Sequence, residues 1–212
     1  RHRLEQPPVE CLVLLAEGLE VGRCGMALDA ELDRASGVLM VQPGKPANVA
    51  MMLTRDGIAY RVAEDFVEGS YINLGVGIPS LIPTFLPADR EIFIHNENGV
   101  LGVGPLAAPG EEDPDLVSAN KEYITLRPGA SVFDHAMSFS MIRGGHLTHA
   151  VMGAMEVGAN GDMANWRAPN QKVPGVGGAM DLAFGVQNVW IAMTHLTNKG
   201  EPKILSQCSC PL

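Results

Sequence analysis

Apolar side chains recur at helical spacing before residue 70 and in short, strand-like runs after it. Ile58, Val62 and Phe66 recur every four residues, which predicts an amphipathic helix that ends near Gly69. Tyr71–Leu74 then predicts a strand that enters a glycine-rich loop. Further strands are predicted at Glu91–His95, Tyr123–Leu126, Ala150–Ala154, Val189–Met193 and Lys203–Leu205.

Two further helices are predicted from turn and capping residues. One begins at Ser80, because the ring of Pro79 presets the backbone angle of a first helical turn. The other covers Ala136–Ile142 and ends at Gly144-Gly145, as a left-handed C-cap requires. Strands that alternate with helical segments are typical of an α/β layered domain with a largely parallel sheet, and we expect this fold class.

The first 50 residues differ from the rest of the chain. A short helix is predicted at Val9–Glu20, and the cluster Gln42–Pro46 breaks regular structure. We find no candidate chemistry in residues 1–50, which suit an N-terminal extension, a linker or a misassigned start before Met51. Acidic residues throughout this stretch do not suit an organelle transit peptide. The folded domain is expected at 51–212.

Charge and polarity exclude several classes of protein. The 212 residues include 15 Lys+Arg and 24 Asp+Glu, for a net charge of −9, which argues against a nucleic-acid partner. The longest apolar run, Cys11–Ala16, is far shorter than the roughly 20 residues that cross a bilayer, so no membrane span is expected. The 4 cysteines lack zinc-finger or C-x-x-C spacing, which indicates reduced thiols and a cytoplasmic location.

The first candidate for chemistry is Gly75-x-Gly77, between a predicted strand and a predicted helix. A dinucleotide-binding loop would need a third glycine where this chain has Ser80, so that fingerprint fails. Two glycines at such a junction serve either a tight turn or the close approach of a ligand. Both interpretations stay open from the residues alone.

The second candidate is Glu97, which follows the predicted strand ending at His95. Ligands of α/β sheets bind at the carboxyl ends of strands. The amides of Asn96 and Asn98 can orient a carboxylate without neutralising it, as a nucleophile requires, and Gly99 then opens a glycine-rich segment. The same four residues also suit a simple polar turn. His95 either tunes this carboxylate or has a structural role at the strand end.

The third candidate is Pro174–Leu182, in which several glycines precede a predicted helix. Backbone N–H groups of Gly177 and Gly178 could stabilise an oxyanion, although a tight loop between packed elements explains the glycines equally well. His146 and His149 lack a further ligand at metal spacing, so we expect no metal site.

Six collinear segments carry these candidates together with further glycine-rich motifs. They are Tyr71–Pro79, Asn96–Pro105, Leu126–Ser131, Ser138–His146, Gly161–Trp166 and Val173–Leu182. This set resembles the β subunit, or C-terminal half, of 3-oxoacid CoA-transferases, including succinyl-CoA and 3-oxoadipate transferases. The resemblance covers residues 52–212, leaves the first 50 outside, and implies that family chains continue past Leu212, so we expect a truncated C-terminus.

The resemblance implies an open α/β sandwich and a specific division of roles. The family's Ser-Glu-Asn-Gly motif places the catalytic nucleophile on Glu97, although this chain has Asn96 where the family has serine. Contacts with coenzyme A are expected at Gly75, Gly77, Asn98, Gly99, Gly177 and Gly178. No metal or organic cofactor is expected beyond coenzyme A as co-substrate. The resemblance also implies an α subunit that completes the active site, in a heterodimer or heterotetramer.

The implied reaction is transfer of coenzyme A between a short acyl-CoA, such as succinyl-CoA, and a 3-oxo acid, through a glutamyl-CoA thioester. Two alternatives remain at this point. An acyl-CoA hydrolase on the same fold would lose the thioester to water, and a non-catalytic or truncated, inactive chain would only assemble with an α subunit.

Overall fold

The computed structural model describes residues 54–87, 89–167 and 176–212, so the predicted helix at Val9–Glu20 lies outside the described residues. Within them, the helices are α1 (Arg55–Asp65), the 3₁₀ helix Pro79–Phe85, α2 (His135–Arg143) and α3 (Ala179–Gly185). The strands are β1 (Tyr71–Leu74), β2 (Phe93–Asn96), β3 (Val100–Leu106), β4 (Ile124–Val132), β5 (His149–Met152), β6 (Glu156–Gly158), β7 (Met163–Ala164), β8 (Asn188–Ile191) and β9 (Ile204–Leu205).

Six strands form the main sheet, in the order β4-β3-β2-β1-β5-β8. The four strands β2, β1, β5 and β8 are parallel, and β3 and β4 extend the sheet as antiparallel neighbours of β2. This confirms the predicted α/β class and the largely parallel sheet. A smaller sheet has the order β7-β6-β9. None of the helices in the described ranges is long and apolar enough to cross a membrane.

The two faces of the main sheet bury separate apolar cores, because successive side chains of a strand point to opposite faces. On β5, Val151 belongs to the core beneath α1 and the 3₁₀ helix, whereas Ala150 and Met152 belong to the core beneath α2 and α3. The helix-spaced residues Ile58 and Val62 of α1 are fully buried in the first core. The domain is therefore a layered sandwich with helices on both faces of the sheet.

Most predicted elements are confirmed, with most boundaries shifted by one or two residues, but α1 ends at Asp65, four residues before the predicted end at Gly69. The C-cap of α2 has its left-handed residue at Gly145, with φ of +70°. The segment predicted as a helix from Ser80 is instead a 3₁₀ helix. Pro83 lies inside that segment, and because proline has no backbone N–H to donate, the segment cannot continue as a regular α-helix.

No sequence pattern predicted β3, β6 or β7, or most of β4. Glycine and proline inside Val100–Leu106 suggest a turn, yet the segment pairs with both β2 and β4. Its register with β4 shifts between Leu101 and Val103 and again between Val103 and Leu106. Such shifts are β-bulges, where glycine is favoured. β4 contains Pro128, which is tolerated because β4 lies at the edge of the sheet, where one side of the strand needs no ladder partner.

The described C-terminal segment is tied to the small sheet by one carboxylate. Glu156 on β6 accepts hydrogen bonds from the backbone N–H groups of Ser209 (2.6 Å) and Cys210 (2.8 Å) and from the Ser209 hydroxyl (2.6 Å). Cys208 and Cys210 are free thiols, and burial raises the pKa of both. Both cysteines are therefore held mainly in the unreactive, protonated form.

We predict that the fold loses stability as the pH falls from 6.5 toward 4. His149 packs against the rings of Phe66 and Trp190, and burial lowers its pKa to about 4 from 6.5. The unfolded chain binds a proton over this range while the folded chain does not, so protonation favours unfolding. His149→Phe should reduce the pH dependence of the urea midpoint between pH 7 and pH 4.5.

The matched control for that experiment is His146→Gln, because His146 is exposed. Its urea midpoint should follow the wild-type pH dependence. A His149→Phe variant that retains the full wild-type dependence would contradict the assignment.

Candidate active site

Glu97 lies in a tight turn between β2 and β3. The pairing of Asn96 with Val100 leaves a three-residue loop in which Glu97 is first. The Asn96 side-chain oxygen accepts from the backbone N–H of Asn98 (3.1 Å), and the Gly99 N–H donates to the Asn96 carbonyl (3.0 Å). The asparagine that stands where the family motif has serine therefore shapes the turn through its side chain.

Gly99 is the residue that closes this turn. Its φ is +116°, a conformation that side chains rarely adopt, and a Cβ atom built there would overlap the carbonyl oxygen of Phe133. The Gly99 carbonyl also accepts from the Phe133 N–H (2.9 Å). Only glycine fits this position, which holds the Glu97 turn against the end of β4.

The carboxylate of Glu97 lies directly against the backbone of Gly178. A Cβ atom built on Gly178 would overlap the carboxylate oxygen Oε2 and would lie 3.1 Å from the ring carbon Cζ of Phe139. Gly178 has φ of −81°, which any residue can adopt. A side chain at position 178 would therefore overlap the Glu97 carboxylate but would not strain the backbone. The requirement for glycine here comes from this overlap and not from the backbone angle.

Behind Glu97, three buried polar side chains connect β1, β2 and α2. His95 is 1% exposed, with Nδ1 at 3.1 Å from Nδ2 of Asn73 and Nε2 at 3.1 Å from the hydroxyl oxygen of Ser138. Burial lowers the pKa of His95 to about 4, so the imidazole is neutral at physiological pH. Nothing in the sequence spacing relates these three residues, which come from segments more than 20 positions apart.

A cavity of about 1090 Å³ opens in front of Glu97 at the carboxyl ends of the parallel strands. This volume lies just above the usual range for small-molecule and cofactor sites, roughly 300–1,000 Å³. Its wall combines residues of β1, the 3₁₀ helix, β2, β3, β4 and α3. Edges of this kind are where α/β sheets bind ligands.

The structure brings three of the seven predicted site residues together on the cavity wall. These are Glu97, Gly75 and Gly178. Gly75 donates its backbone N–H to the carbonyl of Val151 (2.8 Å). A Cβ atom on Gly75 would lie only 3.2 Å from the same oxygen, so the absence of a side chain also permits close packing of the two strands. Their roles in binding coenzyme A stay predictions.

The other four predicted residues are not part of the cavity wall as described. They are Gly77, Asn98, Gly99 and Gly177. Gly77 and Gly177 have φ of +99° and +57°, so each serves a turn that favours glycine. Asn98 donates its side-chain amide to the carbonyl of Val117 (3.1 Å), which links the Glu97 turn to the loop before β4.

Two cations on the cavity wall were not singled out from the sequence. The Arg127 guanidinium donates to the carbonyl of Ile92 (3.1 Å), and Arg90 donates to the carbonyl of Phe66 (3.0 Å). Neither forms a salt bridge with a carboxylate among the described residues, so both keep their positive charge available. They lie 37 positions apart in the sequence, and no local motif joins them. Across the described ranges, no cluster of three or more metal-ligating side chains occurs.

The sequence profile of the coenzyme A transferase family matches residues 55–212. The chain belongs to the coenzyme A transferase family. This confirms the resemblance drawn from the motifs, and the matched range begins where the described fold begins.

Named relatives of this coenzyme A transferase chain are similar over most of its length. It is 54% identical to a 3-oxoadipate CoA-transferase chain of Acinetobacter baylyi over 161 residues, which is 75% of this chain and 74% of that protein. It is 46% identical to a succinyl-CoA:3-ketoacid coenzyme A transferase chain of Helicobacter pylori, over 74% of this chain and 76% of that protein. It is also 46% identical to a probable coenzyme A transferase β subunit of Bacillus subtilis, over 74% of this chain and 73% of that protein.

A solved structure supports the same fold. The acyl-CoA transferase apoenzyme of Escherichia coli O157:H7 superposes with a TM-score of 0.59 at 19% identity. The match covers 82% of this chain and 37% of that protein, so this chain spans little more than a third of the solved protein's length. At this identity the comparison shows the fold alone.

We predict that Gly178→Ala impairs coenzyme A transfer without unfolding the chain. The new methyl group would displace the Glu97 carboxylate, and misplacement of a reacting group by about 1 Å costs on the order of 100-fold in rate. Transfer should fall between about 10-fold and 100-fold. The melting temperature should change little, because Gly178 has an ordinary backbone conformation.

Gly153→Ala provides the matched control on the same cavity wall. A Cβ atom at Gly153 makes only an ordinary contact, 3.7 Å from the carbonyl oxygen of Val76. Transfer should stay close to wild type in this variant. Wild-type transfer in Gly178→Ala would show that the contact with Glu97 has no role in the reaction.

Proposed function

We propose that the chain is the β-type subunit of a 3-oxoacid CoA-transferase, which moves coenzyme A from a short acyl-CoA, such as succinyl-CoA, to a 3-oxo acid. The observation that carries this proposal is the placement of Glu97. It is a half-buried carboxylate on the wall of a cofactor-sized cavity, held in a three-residue turn with a glycine backbone against one of its oxygens. The names of the relatives supply the substrate class.

The first half of the proposed reaction makes an anhydride. A carboxylate oxygen of Glu97 attacks the thioester carbonyl of the acyl-CoA, and the carbon–sulfur bond breaks to release the coenzyme A thiolate. The acyl group and Glu97 then share a mixed anhydride. Backbone N–H groups near Gly177 and Gly178 are proposed to stabilise the oxyanion of this step, an effect worth about 2.7–4 kcal/mol per donor in other enzymes.

The second half returns the thiol to the enzyme. The thiolate attacks the glutamyl carbonyl of the anhydride, which forms a glutamyl-CoA thioester and releases the first acid as a carboxylate. The acceptor acid reverses both steps, so acyl exchange follows ping-pong kinetics. The atoms and charges of coenzyme A and the two acids balance in these steps without any metal or organic cofactor. We therefore propose that the reaction needs none.

We predict that Glu97 forms a covalent thioester. Incubation of the complete enzyme with acyl-CoA and no acceptor acid should add coenzyme A, less the elements of water, to the peptide that contains Glu97. Borohydride should then reduce that thioester to an alcohol, and the change in mass should map to Glu97. Mass spectrometry of the digested protein measures both changes.

Glu97→Gln should form no adduct, whereas Glu122→Gln should form it, since Glu122 is a second carboxylate on the same cavity wall. An adduct on another residue would overturn the assignment of the nucleophile. Release of coenzyme A without any acceptor acid would favour the hydrolase alternative.

We also propose that the chain works with an α-type partner. The name of the Bacillus subtilis relative describes one subunit of a larger enzyme. The described cavity wall has only two cations, Arg90 and Arg127, and a chain with a net charge of −9 needs further positive groups to bind coenzyme A phosphates. The partner would supply those groups.

The surface proposed for this partner is the exposed apolar face of α2 and α3. Met137 on α2 is 54% exposed, and Met180 and Phe184, one turn apart on α3, are 67% and 55% exposed. α3 begins directly after Gly178, so a partner on this face would adjoin the active-site cavity. Large apolar side chains exposed on neighbouring helices are typical of interaction sites.

We predict that Phe184→Glu weakens association with an α-type subunit, because it buries a charge at an apolar contact. Co-purification and analytical ultracentrifugation of the mixed subunits measure the effect. Val67→Glu is the matched control, since Val67 is 67% exposed and follows α1 on the opposite face of the sheet. Equal association of both variants with the α-type subunit would show that the interface does not include this face of α2 and α3.

A further inference from the structure

The buried polar chain behind Glu97 has no step assigned to it in the proposed chemistry, although two of its three members, Asn73 and His95, also border the cavity. Asn73, His95 and Ser138 are 4%, 1% and 0% exposed. Burial of such groups costs free energy unless their hydrogen bonds are made. Three apolar side chains would fill the same space without this cost. Their placement therefore calls for a reason other than packing.

The hydrogen-bond geometry sets the tautomer of His95. Nδ2 of Asn73 lies 3.3 Å from the backbone carbonyl of His95, and a carbonyl only accepts, so this atom is the amide nitrogen. The same nitrogen donates to Nδ1 of the ring. Nδ1 is thus unprotonated, and Nε2 carries the hydrogen that is donated to the Ser138 hydroxyl.

The two bonds of His95 anchor different parts of the site. The Asn73 bond ties the end of β2 to the end of β1, two residues before Glu97. The Ser138 bond ties β2 to α2, a helix whose buried residues are Ser138 and Ile142. Ser138 is thus one of the two buried residues by which α2 contacts the sheet side of the domain.

Phe139 follows Ser138 and makes the connection to the carboxylate. Its ring carbon Cζ and Oε2 of Glu97 both border the position that a Cβ atom of Gly178 would take. α2 also reaches α3 through an ion pair between Arg143 and Asp181 (2.7 Å). A shift of α2 would therefore change the space on one side of the carboxylate.

We infer that His95 is a positioning residue: its two side-chain hydrogen bonds fix the Glu97 carboxylate in its place against Gly178. The contacts are independent of the reaction, but the consequence for catalysis rests on the proposed function. A polar link is suited to this task because a hydrogen bond defines distance and direction, whereas apolar contacts permit sliding.

The test compares His95→Leu, His95→Gln and His95→Asn in the complete enzyme. Leucine removes both bonds and should lower kcat by about 10-fold to 100-fold, with the KM for acyl-CoA changed less than about 3-fold. The glutamine amide reaches as far as Nε2 and can keep the Ser138 bond, and the asparagine oxygen can replace Nδ1 as the acceptor. Each should restore part of the lost kcat.

Ser138→Ala keeps the test decisive if His95→Leu does not fold. It should lower kcat at nearly unchanged KM, and the rate of glutamyl-CoA thioester formation should fall by the same factor. Ser70→Ala is the matched control, because Ser70 is also a buried serine (1% exposed) but its hydroxyl has no hydrogen-bond partner among the described residues. Ser70→Ala should keep the wild-type kcat.

The outcomes separate the inference from the proposed function. If the wild-type enzyme forms no thioester, the proposed function fails. If the wild-type forms it and a folded Ser138→Ala or His95→Leu variant forms it at an undiminished rate, only the positioning role is overturned. A loss that tracks the melting temperature, with no partial rescue by His95→Gln, would also overturn it in favour of a purely structural role.

Discussion

The candidate active site depends on one close approach, that of the Glu97 carboxylate to the backbone at Gly178. A carboxylate can lie there only because residue 178 has no side chain. Two features of the backbone hold Glu97 and Gly178 in this contact. Gly99, in a conformation that favours glycine, closes the turn that presents Glu97, and α3 begins at the residue after Gly178. The site is therefore built from backbone shape as much as from side-chain chemistry.

The layered fold makes this approach possible because it brings the carboxyl ends of β1, β2 and β5 to one edge. Behind that edge the structure places hydrogen-bonded polar groups where an apolar core would be expected. A buried polar group left unpaired costs about 1–3 kcal/mol, so the bonds of His95 tolerate little movement of β2 or α2. Rigid support of this kind suits the proposed reaction, in which the Glu97 carboxylate meets a carbonyl at a defined distance.

The distribution of charge and apolar surface suggests why such a chain would work with a second subunit. The cavity is large enough for a cofactor-sized ligand, yet its described wall holds few cations for an anionic one. Beside it, α2 and α3 expose apolar side chains that the described residues do not cover. In the proposed function, one partner subunit would supply the missing cations and cover the exposed apolar side chains.

The sequence by itself determined the family, the α/β class and most strands, and it indicated Glu97 as the candidate nucleophile, a role that stays a prediction. These follow from local signals: periodicity, turn residues and motifs that lie within a few positions of one another. Local signals failed at β3 and β4, where glycine and proline indicate turns but neighbouring strands supply the pairing. Only the tertiary structure joined Glu97 to Gly178, and His95 to Asn73 and Ser138. These contacts link residues 22 to 81 positions apart, and their geometry is decided by how helices pack on the sheet.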